Sequence, residues 1–352
     1  MTCSRPERSL QPIAAWVFAL VAAGLHGCAD GGGGSESGQT AAPTSPGAPG
    51  ANAAAPPTGL VRVGVAASLR PLLDSLASAQ TAAHPGLRFQ VQSAGSQVLV
   101  RKALELGEPF DVLVLADPVL LQQLRPDWSA FHVVIATDRL VLARATGVDA
   151  AALTADNAFD VLLQDDVVLG MANPDLAPLG YRTQLSWMLA EEVLRRPGLA
   201  QRLRARVGQR HLYPDASALL APLQTGELDY ALMYGAAVMG AGIGYIELPL
   251  SMSLGDPRQS DAYGRVQVEV RAGIGDARVA RVGAPVTYAA TIAAAADNPA
   301  GARALLSGLL SPAGHTDMRK RGLRPYGSEV GRWHGTPPPG LRDAVAAAAQ
   351  RQ

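Results

Sequence analysis

The residues of this chain that could do chemistry are hydrogen-bond donors rather than acids, bases or nucleophiles. Ser68 and Ser96 each stand where a short strand pattern gives way to a helical one. Leu179 lies in a turn between Pro178 and Gly180 ahead of a long helix, Ala216 follows Asp215 at another helix start, and Tyr234 closes an apolar strand. Hydroxyls and N–H groups at helix starts suit an anion, because the first turn leaves its N–H groups without intrahelical acceptors and the peptide dipoles favour negative charge there. None of these groups is charged, and fixed dipoles can hold an anion without a counter-ion. Such a set also discriminates. A fully deprotonated dianion accepts every bond, whereas a phosphate that keeps a proton leaves it unpaired, at a cost of about 1–3 kcal/mol. Each position has an ordinary explanation as well: Ser68 and Ser96 as N-caps, Tyr234 as a core tyrosine with a satisfied hydroxyl, Ala216 as plain helix. Only their joint placement favours a site.

An enzyme has no centre in this sequence. There is no Gly-x-Ser-x-Gly elbow, no His-x-x-x-His pair and no glycine-rich phosphate loop with its lysine, and His84, His132, His211, His315 and His334 are scattered. Asp165-Asp166 is adjacent in sequence ahead of a strand and reads as a solvated turn rather than a catalytic carboxylate pair.

Groups so far apart in sequence need a framework that gathers them. Leu60–Ala67 is a valine-rich strand, followed by Leu69, Leu72, Leu73 and Leu76 at helical spacing, with Ser68 as the expected N-cap. His84-Pro85-Gly86 ends that helix, Leu87–Gln92 alternates as a strand, Ser93–Gln97 turns, and Val98–Leu106 is helical. Phe110–Asp117 is continuous in apolar residues, as buried parallel strands are. This order predicts a doubly wound α/β sheet with ligands beyond the carboxyl ends of its strands, where Ser68, Ser96 and Asp117 lie. Arg139–Arg144 reads as a strand leaving for a second lobe. That lobe would contain the strand Val167–Ala172, the loop and helix start Asn173–Thr183, a helix following Asp215, and the strand Tyr230–Tyr234. Val266–Val270 is a further alternating strand, and Pro285–Ile292 is expected to return to the first lobe. The end of the chain, with Pro337-Pro338-Pro339, reads as a surface-packed or frayed terminus.

Lys plus Arg and Asp plus Glu balance at 30 each, so nothing favours nucleic acid as a partner. Ile13 to Leu25 is an apolar run behind Arg5 and Arg8, too short to span a bilayer and flanked like a signal peptide. It ends Leu25-His26-Gly27-Cys28, which resembles a lipoprotein box with an atypical His26; Cys28 would then be acylated as the first mature residue. A plain secretory signal or a short retained anchor is the alternative. With Cys3 removed, the mature chain has no disulfide and no cysteine metal site. Ala29 to Gly59 is mostly Gly, Ser, Ala, Pro and Thr and reads as a flexible tether. The expected organisation is a signal over 1–28, a linker over 29–59, lobe 1 over 60–138 and 285–330, lobe 2 over 139–284, and a tail over 331–352.

Several stretches, in this order and spacing, carry a resemblance. They are Ala66-Ala67-Ser68-Leu69, Ala94-Gly95-Ser96 with Val100-Arg101-Lys102, and Phe110-Asp111-Val112-Leu113 with Ala116-Asp117. Further along come Asn173-Pro174 to Gly180-Tyr181-Arg182, Gly226-Glu227-Leu228-Asp229-Tyr230 with Tyr234, and Val266-Gln267-Val268-Glu269. From about Leu60 to Pro325 the chain resembles the periplasmic molybdate- and tungstate-binding proteins of ABC importers, most of all the tungstate-preferring branch. The resemblance implies a type II periplasmic-binding fold, with two α/β lobes closing on the anion, and no cofactor. The implied partners are an ABC permease and ATPase, with a lipid anchor in the membrane and a monomeric state. It implies ligand bonds from Ser68 and Ser96, from the backbone at Leu179 and Ala216, and from the Tyr234 hydroxyl. Acidic side chains that add metal ligands in that branch are replaced here by Leu176 and Ala177, and Met233 stands where an acid can occur. Asp175 and Glu227 are the candidates to reach in; otherwise the anion is held by hydrogen bonds alone. The alternatives are a binding protein retuned to another oxyanion such as sulfate and, from a different class, an anchored enzyme acting on phosphoesters.

Overall fold

The computed structural model describes residues 56–124, 126–148, 153–155, 157–272, 277–326 and 332–350. Cys28, the signal segment and most of the tether lie outside the described residues. The chain lays down β1 (Gly59–Ala66), β2 (Leu87–Ala94), β3 (Val112–Leu115) and β4 (Phe131–Thr137), separated by the helices Arg70–Ala83, Ser96–Leu104 and Pro118–Leu124. It then crosses through Asp138 and Arg139 into β5 (Leu140–Arg144), β6 (Leu169–Ala172), β7 (Leu212–Tyr213), β8 (Tyr230–Tyr234) and β9 (Tyr245–Glu247). A hairpin, β10 (Gln267–Arg271) and β11 (Arg278–Val282), follows. Residues 283–286 lead back into β12 (Thr287–Ile292), and β13 (Arg324–Pro325) and β14 (Trp333–Gly335) end the strand series.

Two main sheets result, one per lobe. The first runs β2-β1-β3-β12-β4-β13, with β14 also on β4. β1 is parallel to β2 and β3, whereas the returning β12 is antiparallel between β3 and β4. The second runs β7-β6-β8-β5-β9, with β6 parallel to β7 and β8 and with β5 antiparallel to β8 and β9. β3, β4 and β8 are buried along their whole lengths, which is why they do not alternate apolar with polar residues, although β4 carries His132 and Thr137 into the buried layer. This is the type II periplasmic-binding fold, two α/β lobes joined by crossovers.

The helix Pro178–Val193 is buried continuously from Pro178 to Trp187 and again at Leu189 and Ala190. It is therefore an interior helix of the second lobe, apolar on nearly every side apart from Arg182, Thr183, Gln184 and Ser186. It begins at Pro178, so the expected turn at Pro178–Gly180 is already helix, because proline at the first helical position lacks an N–H that would in any case have no helical partner.

Other elements differ from expectation. The arginine-to-leucine segment after Ser68 starts its α-helix only at Arg70; Ala67–Leu69 is a 3-10 turn, and Ser68 caps nothing. The helix after Asp215 begins at Leu220, so Ala216 lies in a turn and not at a helix start. Asp215 Oδ1 there accepts from the Ser217 (2.9 Å) and Ala218 (3.2 Å) N–H groups. The tail is more than a surface segment, since β14 pairs with β4 and the helix Leu341–Gln350 buries Leu341 and Val345.

Candidate ligand-binding site

The carboxyl ends of β1, β2 and β3 bring Ala66–Ser68, Ala94–Ser96 and Ala116 to one point of the first lobe. From the second lobe come the helix start Ala177–Leu179, the turn Asp215–Ala216 and Tyr234 at the end of β8. Between them is a small, tight cavity. Ser68, Ser96, Leu179, Ala216 and Tyr234 all line it. The two acidic candidates do not. Asp175 Oδ1 accepts from the Arg271 N–H at 2.7 Å and so anchors the β10 hairpin, and Glu227 accepts from the Tyr213 hydroxyl at 3.2 Å on the surface.

Each hydroxyl in the cavity is held from behind by another polar group of the protein. Ser96, buried as the first residue of its helix, accepts the Ala116 N–H at 3.1 Å; Gly95, not Ser96, occupies the cap position. Tyr234 accepts from Arg182 Nη1 at 2.9 Å. Ser68 and Tyr288 share a hydrogen bond at 3.1 Å. A hydroxyl that accepts from a fixed donor keeps its own proton to give. With Tyr288 as donor to Ser68, the three hydroxyls offer three protons to the cavity. Tyr288 sits where the pairing of β12 with β4 slips by one residue, the kind of irregularity that re-aims a side chain. Its ring meets that of Tyr234 edge to face at 5.9 Å.

Backbone donors complete the set. Leu179 is the second residue of its helix, so its N–H has no acceptor within the helix, and Ala177 at the cap makes no side-chain bond. The strand-to-helix turn before it is tight, and Gly180 permits this. A Cβ at Gly180 would lie 2.3 Å from the Ala172 carbonyl oxygen and 2.5 Å from Pro174 N.

A permanent charge stands one residue behind the cavity. Arg182 is 3 % exposed and touches both lobes, with Nη1 donating to the Ala116 carbonyl as well as to Tyr234 and Nη2 lying 3.8 Å from Asp117 Oδ2. Tyr181 donates to the same carboxylate oxygen. Burial opposes the charge on Arg182, but its acidic and hydrogen-bonding surroundings outweigh it and the net shift is upward, so the guanidinium stays protonated. Burial pushes the Tyr234 phenol up to about 12 against the pull of Arg182, and pushes Tyr288 and Tyr181 well above the ordinary tyrosine value. All three phenols therefore remain neutral donors at neutral pH.

The lobes also meet directly around the cavity. Gln97 Nε2 donates to the Pro174 carbonyl at 2.8 Å, and Ser217 Oγ donates to the Ala67 carbonyl at 3.1 Å. Gly95 packs so closely on Leu176 that a Cβ would fall 2.2 Å from its carbonyl oxygen.

A family model described as bacterial extracellular solute-binding protein matches residues 61–324, which contain every residue that lines this cavity. The chain belongs to that family. An uncharacterized solute-binding protein of Petrotoga mobilis is 29% identical over 75% of this chain and 83% of its own length. The molybdate/tungstate-binding protein WtpA of Pyrococcus abyssi is 26% identical over 66% of this chain and 73% of its own. Among solved structures, the periplasmic molybdate-binding protein of Azotobacter vinelandii superposes with a TM-score of 0.55 at 17% identity, covering 75% of this chain and 98% of its own, which shows the shared fold.

Within this solute-binding fold, Arg182, Tyr288 and Asp117 are the polar residues around the cavity that the donor pattern alone does not select. Arg182 did carry a signal. It is a cation near the amino end of a helix, where the dipole disfavours positive charge, so a nearby acceptor was to be expected. Tyr288 carried none, since an aromatic residue in an apolar strand is indistinguishable from core.

Proposed function

We propose that this chain captures a fully ionised tetrahedral oxyanion, molybdate or tungstate, and delivers it to an ABC permease and its ATPase. The observation that carries this is the donor character of the cavity. Ser96 and Tyr234 each accept from a protein group, which leaves their protons for the ligand, and with Tyr288 as the donor to Ser68 the Ser68 proton joins them, along with the Leu179 N–H and the turn at Ala216. Neither Asp175 nor Glu227 enters, and Asp215, the one acid in the lining, has its Oδ1 engaged by the Ser217 and Ala218 N–H groups, so the anion is bound by hydrogen bonds without extra metal ligands. An anion that accepts at every oxygen fits; hydrogen phosphate would face donors with its own proton and lose about 1–3 kcal/mol. The relatives named for molybdate and tungstate support the choice of anion.

In this proposal residues 60–138 and 285–330 form lobe 1 and 139–284 form lobe 2. The body acts as a monomer, tethered outside the cytoplasm through acylated Cys28. Thermal unfolding of the purified body with molybdate, tungstate, sulfate and phosphate tests the function. Micromolar molybdate or tungstate should raise the melting temperature, a ligand at a hundred times its Kd adding about 2.7 kcal/mol, while phosphate leaves it unchanged. No shift with either metal oxyanion refutes the proposal, and a shift with sulfate alone moves the assignment to that anion. In cells, Cys28→Ala should abolish incorporation of labelled fatty acid; incorporation that persists refutes the anchor.

A further inference from the structure

Arg182 links three things that a hinge protein must coordinate. It holds the Tyr234 hydroxyl of its own lobe at 2.9 Å, donates to the Ala116 carbonyl in the wall of the other lobe, and approaches Asp117 of that lobe at 3.8 Å. Asp117 is itself fixed. Its Oδ1 accepts the Val119 N–H at 3.0 Å at the start of the helix Pro118–Leu124, while Oδ2 takes the Tyr181 hydroxyl. The guanidinium is buried on all sides, so its position is set by these partners and not by solvent. We propose that Arg182 is a positioning residue that fixes the Tyr234 hydroxyl as a donor to the bound anion, and that Asp117 secures this arrangement only when the two lobes are closed.

The consequence is a coupling between closure and selectivity. When the lobes part, the Ala116 and Asp117 contacts are lost, Arg182 is held from one side only, and the phenol is free to present its lone pairs to the cleft. When they close, Arg182 occupies an acceptor site of the phenol oxygen, and the hydroxyl proton is left for the anion. Closure then favours a ligand that accepts at Tyr234 over one that must donate to it. The effect on binding is larger than a surface ion pair would give, because the group is buried and charge-assisted bonds are stronger there.

This inference rests on the oxyanion function proposed above, and the test separates the two. Tungstate is titrated by calorimetry into wild type, Arg182→Gln, Arg182→Lys, Asp117→Asn, Tyr234→Phe, and the Arg182→Gln and Asp117→Asn changes each combined with Tyr234→Phe. If wild type binds no molybdate or tungstate, the function fails before the coupling is reached. If wild type binds, Arg182→Gln and Tyr234→Phe should each weaken tungstate roughly ten- to hundredfold, the size of a charge-assisted hydrogen bond. The double variant should be no weaker than about threefold beyond the worse single, because Arg182 acts through Tyr234. Arg182→Lys should recover part of the loss. Asp117→Asn should weaken tungstate in wild type and much less in the Tyr234→Phe background, and it serves in place of Arg182→Gln should that variant not fold. Binding by the variants within twofold of wild type, or losses that multiply in the doubles, overturns the inference while leaving the function intact.

Discussion

Replacing Gly95 by alanine should hold the cleft open while leaving each lobe folded. Gly95 has φ −60° and ψ 142°, an ordinary extended conformation, so alanine introduces no backbone strain of its own. The added Cβ would sit 2.2 Å from the Leu176 carbonyl oxygen, 2.9 Å from its carbon and 3.1 Å from Ala177 Cβ. All three atoms belong to the opposite lobe, and none is the end of a flexible side chain that could turn away. Since a Cβ approaches hardly anything closer than 3.0 Å, the segments must separate there by about 0.8 Å, the difference between that limit and 2.2 Å. Overpacking on this scale costs about 1–3 kcal/mol. It falls on the closed form alone, because Gly95 and Leu176 part when the hinge opens. The dissociation constant for tungstate should therefore rise about 5- to 150-fold, with little change in the melting temperature of ligand-free protein. Solution scattering at saturating tungstate should give a larger radius of gyration than wild type. Unchanged affinity and scattering would refute the argument; an equal loss of stability without ligand would show the clash to be local rather than between lobes.

Further outcomes follow from the crossover and from the hairpin anchor. Asp138, at the first crossover, is 2 % exposed, and burial pushes its carboxyl up to about 6 from 3.8 despite the opposing Arg139 and Ala236 N–H bonds. Its folded pKa exceeds its unfolded one, so its contribution is fully present below the unfolded value and is lost as pH rises through about 6, on the order of 3 kcal/mol in total. Stability of Asp138→Asn relative to wild type should thus improve by up to about that amount between roughly pH 4 and pH 7, and a pH-independent difference in unfolding free energy would contradict it. Asp175→Ala should cost about 1–3 kcal/mol by leaving the Arg271 N–H without its partner, with tungstate affinity nearly unchanged. Lost affinity at unchanged stability would mean that this carboxylate reaches the anion.

Much of the fold was legible because its signals are local. The valine run of β1 and the alternation of β2 are short-range patterns, and each lies close to where periodicity put it, whereas Pro178-Leu179-Gly180, read as a turn, is the first turn of the long helix itself. β4 was not legible. Phe131–Thr137 is buried throughout yet carries His132 and Thr137, so it shows neither alternation nor the unbroken apolar run that marked β3. β13 and β14 are too short to carry a pattern, and they exist because β4 offers them an edge.

The sequence by itself determined which residue types could bind an anion and that they stand at element ends, because capping chemistry and turn chemistry depend on a few neighbouring residues. It could not separate a serine that caps a helix from one that faces a ligand. That was decided by tertiary structure, which gave Ser68 to Tyr288, Ser96 to the Ala116 N–H and Tyr234 to Arg182. The partners of these hydroxyls lie 220, 20 and 52 residues away along the chain. The same holds for charge. Arg182 is one cation among many in the sequence, and only the closing of two lobes places it against Ala116, Asp117 and Tyr234 at once. Hydrogen-bond direction and buried charge arise between elements brought together by packing, and that is why composition and spacing could name the donors but not say which way they point.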